Sequence, residues 1–343
     1  MNIRGVVYER TWVNFGYNRT ECLQLAREFI NLDWMFMMDA DDSIDIISNK
    51  DFLQNLDIDE AGYYVNIEYN SIKMKRVHLF NTKYNWVYRG ALHEYPFCET
   101  ISMNKLKLVD SIKIIARTEG ARSKDPNKYI NDALLLQNEL CLLRDNKLKN
   151  ISCDIDEART LFYLAQSYRD SGNLVLASKY YKERIDIGGW VEEVYVSYCN
   201  LIDITISFDE KLQYCWKAQN IIADSKRIPD SSRIDRFGRI PHRKEAVYRI
   251  LTHCRKCNIF TQEIFALGMA YRHIVMKDDN LHLFTEIKAY GWLYDDELSI
   301  VAYYTSHYDI SRDICIILLS ICPESEKERI HKNLEFCKAK LCI

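Results

Sequence analysis

Two aspartates separated by one residue follow an uninterrupted apolar segment, and this pair has the clearest chemical potential in the sequence. The apolar segment covers residues 34–38, and it stops at Asp39-Ala40-Asp41-Asp42. Two carboxylates one residue apart at a strand end can hold a hard divalent cation, which in turn neutralises the charge of a diphosphate. The tripeptide alone is common, and a solvated turn or a helix cap is the alternative interpretation.

The elements around the acidic pair predict an α/β region. A short segment that is apolar at every position is typical of a central parallel strand, and ligands bind at the carboxyl ends of such strands. Further strands are predicted over residues 5–8, 62–67, 76–80 and 106–115. A helix is predicted over residues 20–30, with Leu23, Ala26 and either Phe29 or Ile30 on one face.

From about residue 125 the patterns become helical. One stretch has the alternation of large, small and aromatic residues that is typical of tetratricopeptide hairpins, in which a small residue lies where two helices cross. Its members are Leu161, Leu164, Ala165, Tyr168, Ala177 and Tyr181. We therefore predict an α/β domain over residues 1–124 and an all-α, tetratricopeptide-like domain over residues 125–343.

The composition restricts the classes of function. The chain has 343 residues, is 48% hydrophobic and carries a net charge of -3, so it has no basic excess that would indicate nucleic-acid binding. No apolar run reaches the roughly 18 residues that a membrane-spanning helix needs. The 12 cysteines are scattered and no apolar leader begins the chain, which predicts reduced thiols and a cytoplasmic location.

Several stretches resemble family-two glycosyltransferases. The segment Trp12-Val13-Asn14-Phe15-Gly16-Tyr17-Asn18-Arg19, with Asp33-Trp34 and the acidic cluster, is similar to the family pattern W-x-N-F-x-x-N-R, D-W and D-A-D-E. The similarity is greatest to the bacterial and large-virus subgroup in which tetratricopeptide-like helices follow the transferase domain. It continues at positions 78–80, 86, 89–94, 119–126, 128–129, 161–168, 188–190 and 295–298.

This resemblance implies a GT-A-type fold with a Rossmann-like sheet, a nucleotide-sugar donor and transfer with inversion. It implies a divalent cation, manganese or magnesium, with Asp41 as its main ligand and Asp39 facing the cation or the ribose. Arg19 would approach the diphosphate, where a guanidinium offers paired donors. Trp86 would pack under the sugar. The alternatives are an ordinary helix-start residue for Arg19 and a core residue for Trp86.

The resemblance also implies a site for the acceptor, which would be a glycan, a protein or a lipid. Glu94 would be the general base that takes the proton from the attacking hydroxyl. His93 would orient Glu94, contact phosphate or bind the cation. A surface pair is the alternative for both residues. Asp42 is predicted to be a supporting or capping carboxylate, and the helical repeats could bind a protein partner.

Two departures from the family pattern predict an incomplete donor site. Only 38 residues precede Asp39, whereas relatives place a βαβαβ unit there, and one βαβ unit takes about 30 residues. Relatives also often carry a histidine at the position of Ala116 or Arg117. The alternative function is therefore a non-catalytic helical-repeat scaffold that carries a degenerate, truncated transferase domain.

Two other clusters have competing interpretations. Cys254 and Cys257, beside His253, resemble half of a zinc site, but cysteines at this spacing on a helix are usually plain thiols. A basic cluster lies over residues 233–244. It is predicted to be a solvated loop, or else a contact for an anionic acceptor or a protein tail. It includes Arg243 and Lys244.

Overall fold

The computed structural model describes residues 5–28, 32–48, 52–69, 72–117, 124–149, 155–221, 243–276 and 283–342. The chain forms two compact units, Met1–Ala177 and Ser178–Ile343. The change from strands to helices falls near the predicted boundary at 124/125, while the first compact unit extends further and includes the first helices of the helical region.

A mixed five-stranded sheet is the centre of the first unit. Its strands lie in the order β1, β4, β3, β7, β2, and only β3 and β7 of the described strands run parallel. The strands are β1 (Trp34–Phe36), β2 (Ser43–Ile46), β3 (Gly62–Tyr69), β4 (Ile72–Asn81) and β7 (Lys107–Ile115). A separate antiparallel pair is formed by β5 (Val87–Arg89) and β6 (Tyr95–Phe97).

The apolar segment before the acidic pair forms a strand, but its predicted place in the sheet is wrong. We expected a central parallel strand, whereas β1 lies at one end of the described sheet and pairs antiparallel to β4. Met35 and Met37 are buried while Trp34 and Phe36 are half-buried. One face is therefore covered more completely than the other, and the uniform apolarity of the segment did not reveal this difference.

The remaining predictions for the strands and for the first helix differ in outcome. The strands expected over residues 62–67, 76–80 and 106–115 are present as β3, β4 and β7, whereas residues 5–8 form no strand and are exposed. Helix α1 (Phe15–Arg27) begins five residues before the predicted start because the Asn14 side chain accepts a hydrogen bond from the Tyr17 N–H and caps it. Leu23 is buried as predicted, while Phe29 and Ile30 lie outside the described residues.

Apolar side chains form two clusters in the sheet unit. One cluster packs around α1, β1 and the segment before β5, and the other packs among β3, β4 and β7. The first contains Leu23, Met35, Met37, Ala61, Val77, Phe80, Trp86 and Cys98, and the second contains Tyr63, Val65, Ile67, Leu79, Val109, Ile112 and Ile114. These clusters fix the positions of α1 and of the carboxyl end of β1.

The remainder of the chain is helical, as predicted. The helices are α2 (Lys128–Leu148), α3 (Glu157–Asp170), α4 (Leu174–Ile187), α5 (Val191–Ile204), α6 (Phe208–Gln219), α7 (Glu245–Cys257), α8 (Gln262–Tyr271), α9 (Trp292–Tyr304), α10 (Tyr308–Ile321) and α11 (Glu324–Leu341). Within the first unit α2 packs on α3, and in the second unit one apolar cluster joins residues from α5 to α11. No described helix has both the length and the apolarity to cross a membrane.

The second unit buries charged residues, and two of them correct a prediction. Arg243 and Lys244 were expected in a solvated loop or an exposed contact patch, but both are buried. The Arg243 guanidinium donates to Glu192 (2.5 Å) and Glu245 (3.0 Å) and lies over the Tyr195 ring. Burial lowers the pKa of Arg243, but the carboxylates of Glu245 and Glu192 outweigh burial and raise it. The rest of the basic cluster, residues 233–242, lies outside the described residues.

Candidate active site

Three of the predicted site residues meet at the side chain of Arg19 on α1. Its Nη2 atom donates to Oδ1 of Asp39 at 2.6 Å, and its Nε atom lies 2.7 Å from Oε1 of Glu94. Asp39 follows β1 and Glu94 precedes β6, so residues far apart in the sequence come to one place. The Arg19–Glu94 pair is largely buried, with side chains 21% and 12% exposed, whereas the Asp39 side chain is 52% exposed.

Helix α1 holds Arg19 in place through close contact with the segment that follows β5. A Cβ atom on Gly16 would lie 2.4 Å from the carbonyl oxygen of Gly90, so only glycine permits this approach. The Phe15 N–H donates to the Ala91 carbonyl at 3.1 Å. The Thr20 hydroxyl accepts from the Tyr88 N–H at 2.8 Å. These contacts explain why a helix that begins at Phe15 places Arg19 beside Glu94.

The turn that carries Glu94 is held by helices α2 and α3 of the same unit. Gly90 and His93 both adopt left-handed backbone conformations, with φ of 96° and 55°. The Ala91 N–H donates to Glu139 on α2 at 2.8 Å, and Arg159 on α3 donates to the His93 carbonyl at 2.9 Å. Burial raises the pKa of Glu139, while its hydrogen bonds from Ala91 and Thr160 oppose that change.

The side chain of His93 lies against helix α3. Its imidazole stacks on the Tyr163 ring with centroids 3.9 Å apart and planes 13° apart. His93 therefore has an aromatic partner that the sequence did not indicate. Its predicted roles, orienting Glu94, contacting phosphate or binding a cation, stay predictions.

Asp41 and Asp42 follow Asp39 in a turn. The Asp42 N–H donates to the Asp39 carbonyl at 3.2 Å, and the Arg117 N–H contacts Asp42 Oδ1 at 3.4 Å. Burial raises the pKa of Asp42, and the nearby carboxylates of Asp39 and Asp41 add to that rise. Asp41 is half-buried, and within the described ranges its side chain has no ion-pair partner. Asp41 is thus available to a ligand.

The acidic cluster does not by itself form a metal site among the described residues. In the part of the chain that the structure describes, no group of three or more histidine, cysteine, aspartate or glutamate side chains could hold a metal alone. Magnesium and similar hard cations are commonly held by one or two carboxylates together with water and substrate phosphates. A cation held by Asp39 and Asp41 therefore stays a prediction.

Trp86 lies in the core, which corrects its predicted place under a sugar. Its side chain is 0% exposed, and its Nε1–H donates to the Ala61 carbonyl at 3.0 Å. The indole also packs against Phe80, with centroids 5.3 Å apart. Because no ring surface is open, a sugar cannot stack on Trp86 in this arrangement.

Two residues that were not predicted as site residues contribute to the electrostatics around Arg19. The Tyr88 ring lies 5.8 Å from the Arg19 guanidinium, and burial raises the pKa of Tyr88. His78 on β4 contacts the Met37 carbonyl through Nδ1 at 2.6 Å, so Nδ1 carries the proton. Its Nε2 atom is buried and has no hydrogen-bond partner among the described residues.

Burial and neighbouring charges together shift the pKa values of Arg19 and His78. Burial lowers the pKa of Arg19, but Glu94 and Asp39 outweigh it and raise that pKa. Burial also lowers the pKa of His78, the cations Arg76 and Arg19 lower it further, and the Met37 carbonyl and Asp39 oppose them. Arg19 is therefore charged and His78 neutral at neutral pH.

The sequence offered only a partial signal for these additional residues. His78 belongs to the stretch at 78–80 that resembles the family, but no spacing rule connects it to Asp39. Glu139 lies in the middle of a helical pattern, where a carboxylate is ordinarily solvated. Residues 119–123 of the resemblance lie outside the described residues.

The cysteine cluster shows no arrangement that favours zinc among the described residues. Cys254 is buried and its thiol contacts the Ile259 carbonyl, whereas Cys257 is exposed. The imidazole of His253 lies 3.2 Å from Asp203. The two sulfur atoms thus lie in different environments, and the interpretation as plain thiols accounts for both.

Comparisons with known proteins leave the family undefined. No family model matches the chain, and no curated protein matches it. Among solved structures, a crystal structure of a thermophilic tetratricopeptide-repeat protein from Thermus thermophilus aligns with a TM-score of 0.30 and 11% identity. The alignment covers 63% of this chain and 92% of that chain. A TM-score this low identifies neither a shared fold nor a shared function.

Proposed function

We propose that the first unit is a metal-dependent, inverting glycosyltransferase domain of the GT-A type. It would transfer a sugar from a nucleotide-diphosphate sugar to an acceptor hydroxyl. The observation that carries the proposal is the convergence of Asp39 and Glu94 on Arg19, at 2.6 and 2.7 Å. This grouping supports the proposal because it unites a carboxylate for the donor side, a cation for phosphate and a candidate base.

Glu94 is suited to act as the general base. Its side chain is only 12% exposed, and Arg19 holds one carboxylate oxygen at 2.7 Å, so the group has a fixed position. In the proposed reaction the acceptor hydroxyl loses its proton to Glu94. The acceptor oxygen then forms a bond to the anomeric carbon, while the bond from that carbon to the diphosphate oxygen breaks. A fixed carboxylate within hydrogen-bond reach of the hydroxyl is the requirement for this step.

Arg19 can release Asp39 and bind a phosphate instead with little loss of free energy. Its pair with Asp39 is half-exposed, and exposed ion pairs contribute about 0–1 kcal/mol. The more deeply buried pair with Glu94 would remain, because it also positions the base. Asp39, once free of Arg19, would join Asp41 in holding magnesium or manganese. The cation, when bound, neutralises charge on the leaving diphosphate.

For the helical region over residues 125–343 we propose a tetratricopeptide-like array that could bind a protein partner. The support is the residue pattern across α3 and α4, where Leu161, Ala165, Ala177 and Tyr181 are fully buried. We also propose a cytoplasmic location, since the described cysteines form no disulfide.

A second candidate function is a non-catalytic scaffold. The observation that favours it is that Asp39 and Glu94 both pair with Arg19. These ion pairs fasten α1 to the residue that follows β1 and to the turn before β6, which is a structural role. In that case Asp41 and Glu94 would have no role beyond stability.

A binding and transfer experiment separates the two candidates. The full chain would be titrated calorimetrically with uridine, guanosine and adenosine diphosphates in the presence of manganese. We expect the chain to bind at least one of these nucleotides. The affinity should fall by more than about tenfold in Asp41→Asn, because that substitution removes a proposed ligand of the cation. Asp59→Asn is the matched control, since Asp59 is an exposed aspartate of the same unit.

Glu94→Gln tests the base separately. It should retain binding of the diphosphate while a transfer assay with the matching nucleotide sugar loses activity by roughly 100-fold or more. Glu99→Gln, an exposed glutamate nearby, should leave both unchanged. If the full chain bound none of the nucleotides with manganese, or if Asp41→Asn bound as well as the unchanged chain, the scaffold would be the better account.

A further inference from the structure

A pocket in the second unit has a lining that no part of the proposed transferase site uses. It has a volume of about 290 Å³ and lies where α9, α10 and α11 meet the end of α7. Pockets of roughly 300 Å³ are at the small end of those that hold organic ligands. Its lining includes the aromatic residues Tyr303, Tyr304 and Phe336 and the polar residues Asn258 and Asn333.

The pocket exposes aromatic rings to solvent. Tyr304 is 59% exposed although Phe260 stacks on it with planes 13° apart, so much of its ring remains open. Phe336 on α11 is 60% exposed. Large aromatic side chains that line a concave site are costly to leave in water, and they provide flat apolar surfaces for a ligand.

Free hydrogen-bonding groups lie next to these rings. The side-chain amides of Asn258 and Asn333, and the hydroxyls of Tyr303 and Tyr304, have no hydrogen-bond partner among the residues described. An amide can donate and accept at once, and so can a phenol. By contrast, the Ser311 hydroxyl donates to the Ser299 carbonyl and accepts from the Cys337 thiol, so this side of the pocket is already satisfied.

The pocket carries no unpaired charge in the described part of its wall. Arg255 is the one charged residue of that lining, and its guanidinium is bound in a bidentate manner by Glu297, at 2.7 and 2.8 Å. Because that cation is matched by a carboxylate, an anionic ligand would gain little and a cationic one would find no partner. The chemistry favours a neutral ligand that offers many hydroxyls and an apolar face.

We infer that this pocket binds a neutral sugar ring. A pyranose has one face of C–H groups that can pack on Tyr304 or Phe336, and its hydroxyls can meet both asparagine amides. This inference concerns the second unit and does not depend on the proposed activity of the first. A binding measurement without a donor can therefore test it even if no transfer reaction exists.

The test uses the full chain and ligand-observed saturation-transfer NMR with methyl glycosides of glucose, galactose, mannose and N-acetylglucosamine at millimolar concentration. We expect signal from at least one of them. Tyr304→Ala and Asn333→Ala should each weaken binding by roughly three- to tenfold, because each removes one contact surface or hydrogen-bonding group. Tyr304→Phe should retain most of the binding, since the ring is kept.

Tyr129→Ala is the matched control, because Tyr129 is an exposed tyrosine of the first unit, and it should bind as the unchanged chain does. The inference would be overturned if none of the four glycosides gave a signal. It would also be overturned if the double variant Tyr304→Ala/Asn333→Ala still bound the glycoside as the unchanged chain does. Preferred binding of glucuronate would overturn the neutral character. Self-association in sedimentation experiments that Tyr304→Ala abolishes would assign the surface to a second copy of the chain instead.

Discussion

Replacing Arg19 by methionine tests how far one side chain organises the candidate site. Methionine retains a flexible apolar stem of comparable length but removes both ion pairs, to Glu94 at 2.7 Å and to Asp39 at 2.6 Å. The change leaves the Glu94 carboxylate, only 12% exposed, without its cation. The Asp39 carboxylate, which is 52% exposed, can turn to water.

The expected cost follows from these exposures. Removing one partner of a fully buried pair costs about 3–5 kcal/mol, and an exposed pair contributes about 0–1 kcal/mol. The Arg19–Glu94 pair is buried but still reached by some solvent, so we expect about 2 kcal/mol from it and less than about 0.5 kcal/mol from Asp39. A loss of about 2 kcal/mol corresponds to roughly thirtyfold more frequent local opening.

Hydrogen–deuterium exchange of the full chain measures this opening without assuming that the two units unfold together. Peptides that cover α1 and residues 88–95 should exchange roughly thirtyfold faster in Arg19→Met. Double-mutant cycles with Glu94→Ala and Asp39→Ala, which remove the partner of Arg19 completely, should give a larger coupling for Glu94. Arg10→Met is the control, since Arg10 pairs with Glu21 of the same helix in an exposed position at 3.3 Å.

If α1 were equally protected from hydrogen exchange in Arg19→Met and in Arg10→Met, the reasoning would be refuted. Burial would then add nothing to the stability that the Arg19 ion pairs contribute. A larger coupling for Asp39 than for Glu94 would refute it as well. The buried pair would then not be the one that fastens α1.

Two further predictions concern the same unit. Gly16→Ala should destabilise the packing of α1 by about 1–3 kcal/mol, because its Cβ would meet the Gly90 carbonyl, and exchange protection should fall accordingly. Gly5→Ala, with open space around it, should change protection little, and an equal loss there would contradict the explanation. Burial lowers the pKa of His78, so the imidazole takes up a proton at a higher pH in the unfolded chain than in the folded chain. Stability should therefore be retained above about pH 6.5 and fall as the pH drops below it, and His78→Gln should weaken this dependence in urea unfolding at pH about 7.5 and about 5.5.

Local patterns predicted the elements that this sequence forms. The strands β3, β4 and β7 and the helical texture after residue 125 follow from the spacing of apolar residues, which reflects contacts between near neighbours. Even so, the start of α1 was placed too late. The side chain of Asn14 caps the helix, and a cap is a single hydrogen bond that apolar spacing does not register.

Contacts between segments that are distant in the sequence could not be predicted from local patterns. The sequence of residues 34–38 does not indicate that β1 pairs with β4 in antiparallel orientation, because the pairing of strands depends on how the whole sheet packs. Trp86 could equally have been a ligand platform or a core residue, since a large aromatic ring favours both. Arg243 was expected in solvent because isolated arginines are rarely buried, and its partner Glu192 lies 51 residues away.

The residues of the candidate site also could not be grouped from local sequence patterns. Arg19, Asp39 and Glu94 were grouped by resemblance, and no spacing rule in the sequence brings them together. Their grouping in space follows from Gly16 against Gly90 and from Glu139 holding the Ala91 N–H. Residues with no chemical role thus determine whether the site forms.

The position of Arg19 affects how any future activity measurement should be interpreted. Because Arg19 fastens α1 and also faces both carboxylates, an inactive Arg19 variant would be explained equally well by lost chemistry and by a displaced helix. Glu94→Gln separates these causes, since an amide of the same shape can still accept a hydrogen bond from Arg19 but is a very poor base. Loss of transfer in Glu94→Gln with unchanged exchange protection of α1 would assign the role to proton transfer. Loss of both together would assign it to the fold.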